Sequence, residues 1–282
     1  MSIVKNFGAV MKLLPYEDMA LGMLRPFVLA DIKPELVFAH TPEARMCWHY
    51  WRFSLSSSPQ TSMFITPGRM SFVFVMDRTS GSLLGIFVVG DPPYMCSQLD
   101  KFVGWDIYTG VGASGRPVNL CKWARCNTIL YMPRCLPVYD FGQVVGGKLM
   151  VLLASCLEVV RMLELRYSYK YALFLVNTLH GKSSQYSRLH DRGLVYGGVS
   201  SSGKGMYYQE LRKKGVRFLK GEVSSLGKYK GYSLQDQTTY WLARWGVPRA
   251  ERLGCQKVTF DHDQYRLSRL VLEGDVRPDA KR

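Results

Sequence analysis

Apolar residues recur along this chain in two periods, and the alternation between them predicts most of its elements. Leu149, Leu152, Leu153, Cys156, Val160 and Leu163 fall at helical spacing, so residues 146–167 predict one long helix opened by Gly146 and Gly147. Residues 171–178 form a continuous apolar run, the pattern of a strand buried on both faces. Residues 71–76 and 83–89 are rich in Val, Ile and Phe, with turn residues from Asp77 to Ser82 between them, which predicts an antiparallel hairpin. Two more strands are predicted at 127–132 and 194–200. Shorter helices are predicted at 16–24, 183–190 and 41–52, the last opened by Thr41, Pro42 and Glu43 as cap, first-turn proline and acid. Residues 133–142 read as a Pro-bounded loop. A strand, helix, strand, helix, strand series from 127 to 200 makes this an α/β fold with a parallel strand pair.

Composition adds charge to that picture. The chain has 282 residues, 37 Lys plus Arg and 22 Asp plus Glu, for a formal net charge of +15. Its 47% hydrophobic content excludes a disordered chain. The charge points to a phosphate-rich partner, nucleic acid or anionic lipid, with simple solubility as the alternative. Seven cysteines without scaffold-like spacing fit a reducing, cytosolic setting. Cys121, Cys126 and Cys135 match no common zinc spacing and read as buried thiols. The N-terminal residues lack the features of a signal peptide. The most apolar stretch, 149–165, is interrupted by Glu158, Arg161 and Glu164 and is too short to span a bilayer.

The chemistry-bearing residues are sparse. Gly146 and Gly147 followed by Lys148, at a strand-to-helix junction, can bind phosphate through free backbone N–H groups; a tight structural loop is the alternative. Trp48, His49, Tyr50 and Trp51 are either a core-facing helix end or a base-stacking surface. Seven basic residues, Arg212, Lys213, Lys214, Arg217, Lys220, Lys228 and Lys230, stand against Glu222 alone between 212 and 230. Tyr207, Tyr208, Phe218, Tyr229, Tyr232, Tyr240, Trp241 and Trp245 interleave aromatics with them, a combination suited to single strands or flipped bases, or to solvated charge over an aromatic core. No metal constellation, paired carboxylates or Ser-His-Asp order stands out, so hydrolase and metalloenzyme readings lack support.

The order of parts resembles the GNAT acyltransferases, in which a Gln/Arg-x-x-Gly-x-Gly/Ala loop holds the pyrophosphate of acetyl-CoA and a Tyr on the following helix protonates the leaving thiol. Gln143 and Gly146 match that loop, while Lys148 stands where Gly or Ala belongs. Between about 70 and 215, Gly104-Trp105, the Gly146-Gly147-Lys148-Leu149 run and the Gly181-Lys182-Ser183-Ser184, Tyr186, Arg188-Leu189 set resemble a family of phage and bacterial proteins that includes the DruA component of Druantia antiphage systems. More distantly, the chain is similar to the phage Mom protein, which modifies adenine in DNA.

The resemblance implies a GNAT-like, partly splayed mixed sheet flanked by helices. Residues 1–66 form an N-terminal extension, 67–210 the acyltransferase core and 211–282 a basic appendage. The edges of 127–132 and 171–178 would form the donor cleft, with Tyr131, Gln143, Gly146, Gly147, Lys148, Asn177, Ser183 and Ser184 against an acyl-CoA. Tyr186 would be the acid, and Asp100 or Asp106 in the Trp105 loop the base; Glu158 and His180 are weaker candidates. Three functions follow: a transferase that modifies a nucleic-acid base or base-linked amine, DNA favoured; a non-catalytic nucleic-acid-binding protein of phage-host conflict; and a small-molecule or protein N-acetyltransferase.

Overall fold

The computed structural model describes residues 10–55, 68–112, 117–143, 146–179 and 181–272, with the side chains of Gln143 and Ser183 outside that set. Strands β2 (Pro34–Phe38), β3 (Met70–Asp77), β4 (Leu83–Gly90), β7 (Ile129–Pro137), β8 (Leu173–Thr178), β9 (Leu194–Val199) and β10 (Gly205–Glu210) make a seven-stranded mixed sheet in the order β2-β3-β4-β7-β8-β10-β9. Helices flank it, so the mixed α/β class expected from the sequence is what forms. The chain divides into two compact units: one of Met1–Val88, Cys135–Met150 and Thr238–Arg282, the other of Val89–Arg134 and Val151–Gln237. Both are discontinuous in sequence and cut across the three consecutive segments expected above.

In the first unit, a two-residue ladder joins β1 (Phe27–Val28) to β11 (Lys257–Val258), and β2 pairs antiparallel with β3. Every residue of β4 is buried, as expected of a strand covered on both faces. Helix α1 (Glu17–Leu21) is shorter than the predicted one, and its Glu17 carboxylate accepts the backbone N–H groups of Leu267 at 2.6 Å and Ser268 at 3.0 Å, the first two residues of helix α11 (Leu267–Leu272). Helix α2 (Pro42–Leu55) starts where the Thr41-Pro42-Glu43 signal places it, and the Thr41 hydroxyl accepts the Ala44 N–H. Its Trp48, Tyr50 and Trp51 are fully buried, which answers the choice between core and base-stacking surface in favour of core.

His49 on the same helix is 7% exposed. Burial, and then the Arg52 charge, push its pKa down from the ordinary 6.5 to about 4. The folded value lies below the unfolded one, so the stability held by neutral His49 is complete above about pH 6.5 and is lost as pH falls toward 4. Unfolding in urea at pH 7 and pH 4.5 should show a loss of up to roughly 3 kcal/mol from this group, and His49→Phe should flatten that segment of the profile. An equally steep profile in the variant would remove His49 as its source.

In the second unit, β5 (Gly110–Val111) and β6 (Pro117–Val118) form a small ladder, β7 runs parallel to β8, and β10 lies antiparallel between β8 and β9. Helices α3 (Ser97–Val103), α4 (Leu120–Arg125) and α8 (Gly215–Lys220) belong to the same unit. Leu99 and Val103, Ile129 and Leu175, Met206 and Leu219 meet in one apolar cluster. The supposed appendage therefore begins inside a core: Leu211 and Leu219 are fully buried.

Two predicted elements are corrected. The 133–142 loop contains the end of β7 and helix α5 (Tyr139–Gln143). The single helix over 146–167 is two, α6 (Gly146–Ala154) and α7 (Leu157–Tyr167), with Cys156 extended between them at ψ 161°. The Tyr229 hydroxyl donates to the Ser155 carbonyl at 2.6 Å, taking an oxygen that a continuous helix would offer to its own backbone. The remaining helices are α9 (Leu234–Trp241), α10 (Val247–Leu253) and α11. Among the described residues, no helix is long and apolar enough to cross a membrane.

Candidate active site

The parallel ladder of β7 and β8 runs from Ile129 opposite Leu173 to Met132 opposite Val176 and stops there. Pro133, which has no N–H to give, follows on β7. The parallel pairing therefore ends at 132 and 176, and the segments where the sequence placed the donor cleft are paired along that length. Asn177, the first residue past the ladder on β8, donates from Nδ2 to the Tyr131 hydroxyl at 2.8 Å. Burial pushes the Tyr131 phenol up to about 12, with the Asn177 bond pulling the other way. Arg134 is half-buried, its pKa lowered by burial while Tyr131 opposes that shift. No carboxylate pairs with Arg134 among the described residues.

Tyr131, Leu175 and Tyr208 belong to the apolar cluster that carries Leu99 and Val103 of α3, so the α3 side chains meet this face of the sheet. From α3, Asp100 pairs with the buried Lys122 at 2.7 Å. Its second oxygen, Oδ1, is buried with no hydrogen-bond partner. The Tyr208 hydroxyl is also buried without one, and burial pushes that phenol up, with the Cys96 thiol and the Asp100 charge adding to the effect. Phe102 stacks on Tyr208 with ring centroids 3.9 Å apart. Gly197 is required opposite: a β-carbon there would stand 2.1 Å from the Tyr208 ring. Orphaned polar atoms in a core are costly, by about 1–3 kcal/mol each.

The other predicted residues are placed apart from this group. Asp106 is exposed and makes no hydrogen bond or ion pair among the described residues, whereas Asp100 is held by Lys122. Tyr186 sits on a 3-10 segment, Gln185–Arg192, rather than an α-helix, and its ring meets Tyr207 edge-on at 5.9 Å. Tyr207 and Tyr208 are consecutive on β10 and point to opposite faces, which puts Tyr186 on the face away from Asp100 and Tyr131. Ser184 caps that segment by accepting the Tyr186 N–H at 3.1 Å. Glu158 accepts the Leu234 N–H. His180 lies outside the described residues.

In the first unit, Gly146 opens α6 where Gln143 ends α5, and residues 144–145 lie outside the described set. A β-carbon on Gly146 would meet the Phe141 ring at 2.6 Å, so close packing alone demands this glycine. Gly147 is buried, and Lys148, 4% exposed, carries its ammonium 5.5 Å from the Trp245 ring centroid. An aromatic face at that distance stabilises a cation.

Of the seven basic residues, Arg212 is turned inward, its Nη2 donating to both Glu164 carboxylate oxygens at 2.7 and 2.8 Å. Lys230 pairs with Glu210, and Arg217 with Glu222 at 3.1 Å. Lys213, Lys214, Lys220 and Lys228 are exposed and make no ion pair among the described residues. The aromatics expected to accompany them are largely internal: Tyr207, Tyr208 and Trp241 are fully buried. Lys122 and Arg134 were missed from sequence, and Tyr208 was read there as an aromatic accompanying the basic residues. Among the described residues, no cluster suited to a metal ion is present.

No protein-family model matches the chain. Over 164 residues it is 30% identical to the Druantia protein DruA of Escherichia coli (strain UMEA 4076-1), a match that takes in 58% of this chain and 34% of that protein. The chain thus spans about a third of the length of this relative. Among solved structures it is similar to BjaI, a CoA-dependent acyl-homoserine lactone synthase, at 11% identity and a TM-score of 0.35, over 78% of this chain and 99% of the other. It is also similar to FeeM, an N-acyl amino acid synthase from uncultured soil microbes, at 8% identity and a TM-score of 0.34, over 64% and 91%. Likeness of this size carries nothing about chemistry.

Proposed function

We propose that the chain is an acyl-CoA-dependent transferase whose acceptor is a nucleic-acid base or a base-linked amine. The observation that carries this reading is the end of the β7–β8 ladder at Met132 and Val176, where Tyr131 and Asn177 are paired and Arg134 acts on Tyr131 with no carboxylate partner among the described residues. An acyl-CoA supplies an acyl carbon activated as a thioester. The Tyr131–Asn177 pair keeps one O–H donor and one carbonyl acceptor free, which suits an amide-bearing arm. Arg134 offers charge to an anionic group. Asp100 has one oxygen fixed by Lys122 and one free to accept the proton of an acceptor amine, and the Tyr208 hydroxyl beside it can donate. The net charge of +15 favours a polyanionic acceptor over a small one.

Titration calorimetry with acetyl-CoA tests the donor half of this reading. A saturable heat is expected, with affinity about tenfold weaker in Asn177→Ala, which loses one hydrogen bond and the position of Tyr131. Absence of heat, together with no thermal stabilisation, would favour the second reading, a binding protein without catalysis. The burial of Lys148, whose ammonium lies 5.5 Å from the Trp245 ring centroid, favours that alternative.

A further inference from the structure

An aromatic and basic surface forms within the second unit where residues 105–112 and 117–125 meet α8. Tyr108 and Trp123 are each 71% exposed, and Leu120 is 49% exposed one turn before Trp123 on the same face of α4. They are held firmly for surface groups. The Asn119 amide donates to the Ile107 carbonyl at 2.7 Å, and the Leu120 N–H donates to the Thr109 hydroxyl at 3.0 Å, which fixes the Tyr108 segment against the start of α4. The Trp105 indole donates to the Leu219 carbonyl at 2.8 Å, and the Arg125 guanidinium donates to the Phe218 carbonyl while lying 4.6 Å over the Phe218 ring. These bonds bring α8, with exposed Lys214, Arg217 and Lys220, alongside the exposed rings. The Arg217 pair with Glu222 is solvent-exposed and holds its cation weakly.

We propose that this surface binds single-stranded nucleic acid, with bases stacking on Trp123 and Tyr108 and the backbone following Arg125 and the α8 cations. Exposed rings beside unpaired cations match what a single strand offers, a ring and a phosphate at every nucleotide. A duplex hides its ring faces. The aromatic platform is therefore not the Tyr and Trp set of residues 207–245, which is largely internal, but two rings from a segment earlier in the chain. The proposal locates the polyanionic acceptor of the transferase reading and rests on that reading for its biological purpose, but the binding itself needs no acyl donor.

The chain provides its own reporter. Of its six tryptophans, Trp48, Trp51, Trp105, Trp241 and Trp245 are all at most 9% exposed, and Trp123 is the accessible one. Titrating the full chain with an oligothymidylate, no CoA present, should quench tryptophan emission. Trp123→Ala should abolish the quench and weaken binding, measured by anisotropy of a labelled oligonucleotide, by about tenfold. The triple variant Lys214→Glu, Arg217→Glu, Lys220→Glu should weaken binding further and flatten its salt dependence. Tyr108→Ala keeps the Trp123 reporter and should weaken binding without removing the quench. The proposal is overturned if the oligothymidylate neither quenches nor binds, if duplex DNA binds as well as the single strand, or if anionic vesicles alone change the emission. Because CoA is absent throughout, failure of the transferase reading shows separately, in calorimetry.

Discussion

Asp100→Asn is expected to lower acyl transfer roughly a hundredfold while leaving acyl-CoA affinity within about twofold. Asparagine keeps an oxygen for the Lys122 ammonium, which sits 2.7 Å from one carboxylate oxygen, so the buried cation retains a partner. What changes is the other position. In the native chain it is a buried acceptor with no hydrogen-bond partner; in the variant it is an amide donor that cannot take a proton. Loss of rate without loss of donor binding is the signature of a proton acceptor. Tyr208→Phe is the companion variant: its hydroxyl makes no hydrogen bond, so stability should hold, and any fall in rate reports on proton donation. If Asp100→Asn retains full rate, Asp100 is an ion-pair anchor for Lys122 and nothing more.

The second large effect is on stability. Arg212→Ala should destabilise the fold by roughly 3 kcal/mol, because it strands the Glu164 carboxylate, whose side chain is 16% exposed. Glu164 also accepts the Tyr171 N–H, just before β8, so the loss reaches the sheet. A urea-denaturation cycle of Arg212→Ala, Glu164→Gln and the double variant should show strong coupling. If Arg212→Ala is stable and instead weakens nucleic-acid binding, Arg212 returns to the interface that its sequence neighbours suggested.

Elements specified by local signals were legible in the sequence. The hairpin of β3 and β4, the start of α2 and the buried β8 each carry their own pattern of apolar, turn and cap residues. What escaped depends on distant partners. Nothing in Gly205–Glu210 says that it inserts between β8 and β9, since an aromatic pair beside basic residues also reads as a surface. The break at Cys156 follows from the Tyr229 hydroxyl, 74 residues from the Ser155 carbonyl it binds. The same distinction divides the site. Tyr131 and Asn177 were legible as strand residues near a cleft, and Asp100 as an acid in the Trp105 loop. Lys122 and Tyr208 acquire meaning only when the fold brings them to Asp100, and Arg134 when it comes near Tyr131.

The most direct test incubates the purified chain with an acyl-CoA and single-stranded DNA, digests the DNA to nucleosides and reads them by mass spectrometry. The account predicts an acylated nucleoside that forms with the native chain and is nearly lost with Asp100→Asn. An unmodified nucleoside profile from a chain that demonstrably binds both acyl-CoA and the oligonucleotide would contradict it.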